Sequence, residues 1–209
     1  MTENRFDTAA TGWDNEKRRI ELAKAISSRI ALLPLNEGMR AMEYGCGTGL
    51  VGLDLARRLA SLVAADSSPG MLETLKAKIK ELGIKNVFPR LLDLHHEDCE
   101  QDFDLIFSAM TLHHLADVDG ILSKLFQCLK PGGIFALADL DEEDGSFHQD
   151  NPEGVMHHGF NRGKLSGVLE KLGFSSIAVS TVHTIRKKNS QGDEHPFFVF
   201  LMTAIKEKR

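Results

Sequence analysis

An alternation of strand-like and helix-like segments constrains the fold of this chain more than any other feature. The stretch RAMEYGCGTGLVGLDLA, Arg40 to Ala56, is typical of a strand, a glycine-rich turn and a helix. Further apolar segments, SLVAAD, NVFPRLLDL, DFDLIFSAM and PGGIFALADL, predict strands, and helical patterns separate most of them. Because parallel strands need crossover connections, this alternation predicts an α/β fold with a doubly wound, mostly parallel sheet.

The last two apolar segments complete the predicted sheet. SSIAVSTVHTI and PFFVFLMTAI are strand-like, and only the polar loop RKKNSQGDEH separates them. They predict an antiparallel hairpin at the C-terminal edge, which makes seven strands in all. In front of the sheet, apolar positions three and four apart predict a helix from Trp13 to Leu33, which Pro34 stops. We expect a helical lid and first helix in residues 1–38, and a core in residues 39–209, within one domain.

The composition excludes several classes of partner. A net charge of −5 and a pI near 6.0 offer no overall positive field for a nucleic acid. The apolar run PFFVFLMTAI is too short to span a membrane, and the polar N-terminal segment is no signal peptide. Cys46, Cys99 and Cys128 show neither metal nor disulfide spacing, which favours a reducing cytoplasm. We therefore expect a cytoplasmic protein that binds a small molecule.

The glycine-rich turn fits two templates. GTGLVG, residues 47–52, matches the dinucleotide fingerprint G-x-G-x-x-G, and Asp66 follows where a ribose-binding acid would lie. EYGCGTG, residues 43–49, instead matches an acid followed by alternating glycines, a turn that suits a nucleoside without phosphate. An acid at Glu43 would repel a phosphate and favour a cationic group. The chain also offers no second set of strands, so a nicotinamide-dependent oxidoreductase is the less favoured alternative.

Carboxylates follow several of the predicted strands at the end of the sheet where ligands bind in doubly wound folds. Asp66 can accept hydrogen bonds from both hydroxyls of a ribose, and Asp93 can accept one from an adenine amino group. Glu43 and Asp139 also end predicted strands, although any single acid at such a place can be a simple turn former.

Together these motifs resemble the class I S-adenosylmethionine-dependent methyltransferases, in particular small single-domain members of the type 11 and 12 kind. EYGCGTG is similar to the first motif of that family, VAADSSPGML to its ribose-binding loop and LLDL to its adenine-contacting segment. FDLIFSAMTLHHL and LKPGGIFALAD are similar to the fourth strand with its loop and to the turn into the fifth strand. The resemblance implies a Rossmann-like fold, S-adenosylmethionine as cofactor and S-adenosylhomocysteine as product.

The resemblance also assigns residues to the cofactor. The backbone from Gly45 to Gly47 would approach its amino-acid part, Asp66 with Ser67 its ribose, and Met71 its adenine face. The residues implied are Glu43, Tyr44, Gly45, Cys46, Gly47, Gly49, Asp66, Ser67, Met71, Asp93, Leu94, Ser108 and Ala109.

Methyl transfer is an in-line displacement, so the protein mainly positions the acceptor and excludes water. His113 is the candidate base for an acceptor that must lose a proton, or else a brace for the next helix. His157 and His158 lie in a connection that covers the acceptor in this family, and Asp139 leaves the fifth strand toward it. Trp13 belongs either to a segment that closes over the cofactor or to a hydrophobic plug.

Two expectations concern ions and charge. Adjacent histidines point in different directions, so no metal site is expected. The acidic run ADLDEEDGSFH would repel anionic acceptors.

No Asn-Pro-Pro-aromatic motif follows the fourth strand, so a small-molecule acceptor is favoured over a nucleic-acid base. A protein that binds the nucleoside without catalysis stays as an alternative.

Overall fold

Seven strands form one sheet in the order β3-β2-β1-β4-β5-β7-β6. The computed structural model describes residues 5–188 and 192–208. The first five strands are parallel, and β7 runs antiparallel to both β5 and β6. The doubly wound sheet and its antiparallel C-terminal edge confirm the predicted fold class. The strands are β1 (Arg40–Tyr44), β2 (Ser61–Asp66), β3 (Val87–Leu91), β4 (Phe103–Ala109), β5 (Leu129–Leu140), β6 (Phe174–Lys188) and β7 (Glu194–Lys206).

Helices cover both faces of the sheet because successive strand residues point to opposite sides. In β1, Ala41 packs in one buried cluster and Met42 in the other. The first cluster receives α2, α3 and α4, and the second receives α5 and α6. The helices are α1 (Arg5–Ala9), α2 (Lys17–Ile30), α3 (Gly52–Leu55), α4 (Pro69–Leu82), α5 (Val118–Cys128) and α6 (Arg162–Leu172).

Local signals set the ends of two helices. The Ser68 hydroxyl accepts a hydrogen bond from the Met71 backbone N–H at 3.1 Å, and Pro69 occupies the first turn of α4, as the Ser-Ser-Pro-Gly sequence predicts. Gly173 ends α6 in the left-handed region at φ 102°.

Two predicted helices are shorter than expected. The helix predicted from Trp13 begins only at Lys17, because Ala10–Asn15 forms a 3₁₀ turn. The helix predicted over residues 50–59 consists of α3 and the 3₁₀ turn Ala56–Arg58. There the chain must reach β2 within a few residues, which leaves no room for further helical turns.

The expectation that the three cysteines form no disulfide is wrong. Cys99 and Cys128 are joined across 29 residues, with their Cα atoms 6.4 Å apart, and Cys46 is free and buried. The cysteines therefore no longer support a reducing compartment, and the cytoplasmic location stays a prediction. None of the helices in the described ranges has the length and hydropathy required of a membrane span. Residues 1–4 of the predicted lid and residues 189–191 of the predicted polar loop lie outside the described residues.

Candidate active site

Several positions in the turn after β1 require glycine. Gly45, Gly47 and Gly49 have φ values of +75°, +51° and +82°, which other residues rarely adopt. A Cβ at Gly45 would lie 2.2 Å from the Thr111 Oγ1 atom, and one at Gly49 would lie 2.5 Å from the Leu75 Cδ1 atom. The turn therefore brings bare backbone to the carboxyl end of the sheet.

Gly52 has a different function from the glycines of the turn. A Cβ there would lie 2.2 Å from the Glu43 Oε2 atom and 2.9 Å from the Leu62 Cδ2 atom. This glycine lets α3 pack directly over β1. The third glycine of the apparent dinucleotide fingerprint is thus a packing residue.

The turn forms one wall of a cavity of about 390 Å³ at the carboxyl ends of β1, β2 and β4. Most of the predicted cofactor residues line this cavity, which brings together segments that are up to 66 residues apart. Those that line it are Glu43, Tyr44, Gly45, Cys46, Gly47, Asp66, Ser67, Met71, Asp93 and Ala109. The volume and the backbone-lined wall fit a nucleoside with an amino-acid extension.

Asp66 links the glycine turn to the loop after β2. Its Oδ2 atom accepts a hydrogen bond from the Gly47 N–H at 2.7 Å, and its Oδ1 atom accepts one from the Ser68 N–H at 2.8 Å. Each carboxylate oxygen keeps a second lone pair, so the group can still accept from two ligand hydroxyls. Burial raises the pKa of Asp66, and the two backbone N–H donors counteract that shift.

Glu43 is a buried acid with an unsatisfied atom. Its side chain lines the cavity, the residue is only 2% exposed, and no described residue hydrogen-bonds its Oε2 atom. Burial raises the pKa of Glu43 well above its usual range, and the charge of Asp66 raises it further. An unpartnered carboxyl oxygen of this kind fits a cationic ligand group, such as the amino group of S-adenosylmethionine.

Three residues assigned to the cofactor by resemblance are not part of the cavity wall. Leu94 is fully buried in the core. Ser108 is also buried, and its hydroxyl donates to the Tyr44 carbonyl at 2.8 Å, so it connects β4 to β1. Gly49 packs against Leu75. Asp93 lines the cavity, and its carboxylate already accepts hydrogen bonds from the loop that follows it.

The N-terminal segment closes one side of the cavity. Asp7 accepts hydrogen bonds from the Ser68 hydroxyl at 2.6 Å and the Gly70 N–H at 2.9 Å. Asp14 accepts from Thr48 at 2.5 Å and from Lys78 at 2.7 Å. These contacts hold the 3₁₀ turn in place and direct Trp13 into the cavity wall.

A second cavity of about 270 Å³ continues beyond the first. Both cavities are lined by Phe6, Trp13, Arg19, Leu22, Met110 and His114. Met110 follows β4 with a φ of +55°, which is a strained value for this residue type. Its side chain lies at the junction, where the two cavities meet. The charged residues of the second cavity are mostly basic, namely Arg5, Arg18, Arg19 and Lys187, with Glu16 as the acid.

Three histidines meet at this junction. The His113 Nδ1 atom is 2.6 Å from the Asp139 Oδ1 atom, and its Nε2 atom is 3.2 Å from the Nε2 atom of His148. The His114 Nδ1 atom is 2.8 Å from the Gly154 carbonyl oxygen. Burial and the neighbouring His113 lower the pKa of His114 to about 3 and that of His148 to about 4. Both rings are therefore neutral near pH 7.

Asp139 is not positioned to contact an acceptor. It is fully buried behind His113 and also accepts hydrogen bonds from the Leu112 and Leu140 backbone N–H groups. The carboxylate therefore orients the imidazole: it accepts a hydrogen bond from Nδ1, and Nε2 is turned toward the His148 ring, 3.2 Å away. His148 was missed by sequence reasoning, since a histidine 35 residues from His113 carries no spacing signal.

The histidine pair in the later connection lines neither cavity. The His157 Nε2 atom is 2.9 Å from the Leu115 carbonyl oxygen, and the His158 Nδ1 atom is 3.6 Å from Glu143. In contrast, His95 does line the first cavity, although its sequence context indicates a solvated loop.

The acids of the run after β5 line neither cavity. Asp141 pairs with Arg162, Asp144 accepts from the Ser146 backbone N–H at 3.0 Å, and Glu143 accepts from the Phe147 N–H at 3.0 Å. These acids organise their own loop. The expected repulsion of anionic acceptors stays a prediction, although the charged residues of the second cavity are mostly basic.

The fold and this site define a Rossmann-like protein with a ligand-sized cavity at the carboxyl end of its sheet. The model of one protein family, described as methyltransferase domain, matches residues 35–191. The chain belongs to this family and is a class I S-adenosylmethionine-dependent methyltransferase. Membership confirms the predicted class and its cofactor, S-adenosylmethionine, and the nicotinamide alternative is not retained.

Individual relatives cover only parts of the chain. The biotin biosynthesis bifunctional protein BioCD of Bordetella avium is 34% identical over 142 residues, which are 66% of this chain and 30% of that protein. The ubiquinone biosynthesis O-methyltransferase of a Chelativorans species is 32% identical over 111 residues, 50% of this chain and 42% of that protein. The chain thus matches less than half the length of these curated relatives.

A solved structure shows the same fold. Phosphoethanolamine N-methyltransferase 2 of Haemonchus contortus, in complex with S-adenosyl-L-methionine, superposes with a TM-score of 0.71 at 19% identity. The superposition covers 90% of this chain and 53% of that one. At this identity the likeness concerns the fold alone.

Proposed function

We propose that this chain transfers a methyl group from S-adenosylmethionine to a small, negatively charged acceptor bound in the second cavity. The observation that carries the proposal is the meeting of two cavities at Met110 and His114, one with a nucleoside-binding wall and the other with a basic wall. When bound, the cofactor supplies a methyl group on a positively charged sulfur, which is already activated toward in-line displacement.

In this proposal the first cavity holds the cofactor through a few named groups. The Asp66 carboxylate accepts from ribose hydroxyls, and the Glu43 carboxyl faces the amino group. The glycine turn allows close approach of the amino-acid part. The N-terminal segment, fixed through Asp7 and Asp14, acts as the lid that excludes water and keeps the acceptor in place.

The second cavity selects the acceptor by charge. Arg18 and Arg19 share one carboxylate, Glu16, so this group of three carries a surplus positive charge. Arg5 and Lys187 hydrogen-bond to backbone carbonyls, and Lys187 also lies 4.0 Å from the exposed carboxylate of Asp150. A carboxylate or phosphate on the acceptor would balance this charge.

The His113 Nε2 lone pair is the candidate acceptor for the proton of a hydroxyl or similar nucleophile. Its orientation comes from Asp139 at 2.6 Å. A relative named as an O-methyltransferase makes oxygen acceptors the first class to screen.

The first test separates cofactor binding from catalysis. Isothermal titration of the protein with S-adenosylmethionine should show one site per chain, and titration with NAD should show none. Release of S-adenosylhomocysteine is then measured with acceptor pools sorted by charge, and the anionic pool should be active. Binding without release from any pool would favour the non-catalytic alternative. Release only with cationic or neutral acceptors would contradict the charge argument.

A charge-reversal pair tests the second cavity once an acceptor is known. Lys187→Glu should raise the KM for an anionic acceptor at least about tenfold, since one favourable charge becomes repulsive. Lys188→Glu makes the same change on the exposed neighbour, which does not line the cavity, and should leave KM unchanged. Equal effects of the two variants would mean that the acceptor binds elsewhere.

A further inference from the structure

We propose that His113, His114 and His148 form a binding site for a divalent transition-metal ion, with Zn²⁺ as the preferred ion. One ring nitrogen from each histidine is available, and the three atoms all lie within 4.8 Å of one another. Three imidazoles without a thiolate or carboxylate ligand suit zinc, copper, iron or nickel rather than magnesium or calcium.

The closest pair already has the spacing of metal ligands. The Nε2 atoms of His113 and His148 are 3.2 Å apart. Two nitrogens at the usual Zn–N distance of about 2.0–2.1 Å in a tetrahedral site lie about 3.3 Å from each other. The half-buried His114 ring supplies the third nitrogen, within 4.8 Å of the other two.

The geometry also removes the objection that adjacent histidines point apart. The 3₁₀ turn Leu112–His114 places the His113 and His114 rings on the same side, with centroids 4.0 Å apart and planes at 47°. The turn Ser146–His148 supplies the third ring from the loop after β5, 5.1 Å from the His113 ring.

The outer hydrogen bonds are those that metal-binding histidines need. The Asp139 carboxylate at 2.6 Å holds the His113 Nδ1 proton, and the Gly154 carbonyl at 2.8 Å holds that of His114. In both rings this leaves Nε2 as the lone-pair atom. A carboxylate or carbonyl behind the imidazole is the usual arrangement that fixes the tautomer of a ligand and raises its basicity.

The charges around the cluster also bear on metal affinity. Arg5 and Lys187 act on the histidines as neighbouring positive charges and oppose a cation. The buried Asp139 supplies the compensating negative charge.

The position suggests what the ion does. All three histidines line the second cavity, so a fourth coordination position would face the space assigned to the acceptor. An acceptor hydroxyl or thiol would bind the metal ion there in its deprotonated form, and the released proton would pass to solvent. With the ion present, His113 is a ligand rather than a base. This role rests on the proposed function, whereas binding of the ion does not.

Zinc titration tests the site without any acceptor. Tag-free full-length protein, stripped with a chelator, is titrated with Zn²⁺ in competition with a chromophoric chelator. We expect one ion per chain. The zinc affinity should fall at least about a hundredfold in His148→Ala and in His114→Ala, which is more than the loss of a group that only hydrogen-bonds to a ligand would cause. His195→Ala removes an exposed histidine outside the cluster and should bind zinc as the wild type does.

Two further measurements keep the test independent of folding and of catalysis. Circular dichroism and S-adenosylmethionine binding must be unchanged in His148→Ala, and the visible spectrum of bound Co²⁺ should be lost in that variant. Absence of stoichiometric zinc binding, or equal zinc affinity in the wild type and His148→Ala, would overturn the site. The 3.2 Å contact would then be a hydrogen bond between two imidazoles. Zinc binding without methyl transfer would leave the site standing and refute only the proposed function.

Discussion

Glu43 offers the sharpest test of the cofactor assignment, because one substitution should change stability and affinity in opposite directions. The carboxyl is 2% exposed, lines the first cavity and has one oxygen without a described partner. Glu43→Gln keeps the size of the side chain and removes the acid.

The stability change follows from the raised pKa of Glu43, which has burial as its largest cause. The folded chain retains the proton at pH values where the unfolded chain has released it. The stability that Glu43 contributes is therefore complete at low pH and is lost as the pH rises from about 4.3 toward the raised pKa. Glutamine does not titrate. The Tm of Glu43→Gln, measured by calorimetry, should exceed that of the wild type by a margin that grows as the pH rises from about 4.3 toward the raised pKa.

The affinity change has the opposite sign. The amino group of the bound cofactor would favour the ionised form of Glu43, and glutamine cannot provide that negative charge. A hydrogen bond to a charged group contributes about 1.5–3 kcal/mol, so the Kd for S-adenosylmethionine should rise about 10- to 150-fold. Isothermal titration at one pH, on the same preparation used for calorimetry, measures this change.

Glu142→Gln is the matched control, because Glu142 is an exposed acid that does not line the cavity. It should change neither Tm nor Kd. A higher Tm with unchanged cofactor affinity would show that Glu43 only packs beneath the turn. A Tm difference that does not vary with pH would refute the assigned pKa direction.

Two other predictions concern backbone and covalent constraints. Gly45→Ala combines a φ of +75° with a Cβ 2.2 Å from Thr111 Oγ1 and should cost at least about 2 kcal/mol of unfolding free energy. Gly83→Ala, at φ +65° with no described atom within 4 Å of the added Cβ, should cost only about 1–2 kcal/mol, and equal losses in urea denaturation would contradict the steric argument. Reduction of the disulfide between Cys99 and Cys128, 29 residues apart, should lower the unfolding free energy by about 3–4 kcal/mol. A non-reducing peptide map without the linked pair would contradict that prediction.

The sequence alone was sufficient for the sheet, its hairpin edge and most of the residues that line the first cavity. Strand and helix periodicity are local signals, and so are the capping serine Ser68 and the C-terminal glycine Gly173. Motif spacing placed Glu43 and Asp66 at the ends of β1 and β2, and parallel strands bring such ends to one edge of the sheet. Because these patterns arise within short segments, they could be predicted without coordinates.

The acceptor side could not be predicted in the same way, because it depends on contacts between distant segments. Asp139 lies 26 residues from His113, and His148 lies 35 residues from it, in loops whose 3₁₀ turns have no periodic signature. The same holds for Trp13 at the cavity wall and for the disulfide. Local sequence determined which strands form and which residues line the first cavity. Only tertiary packing, through the strand order and the loop conformations, decided which histidines meet and which charges face the second cavity.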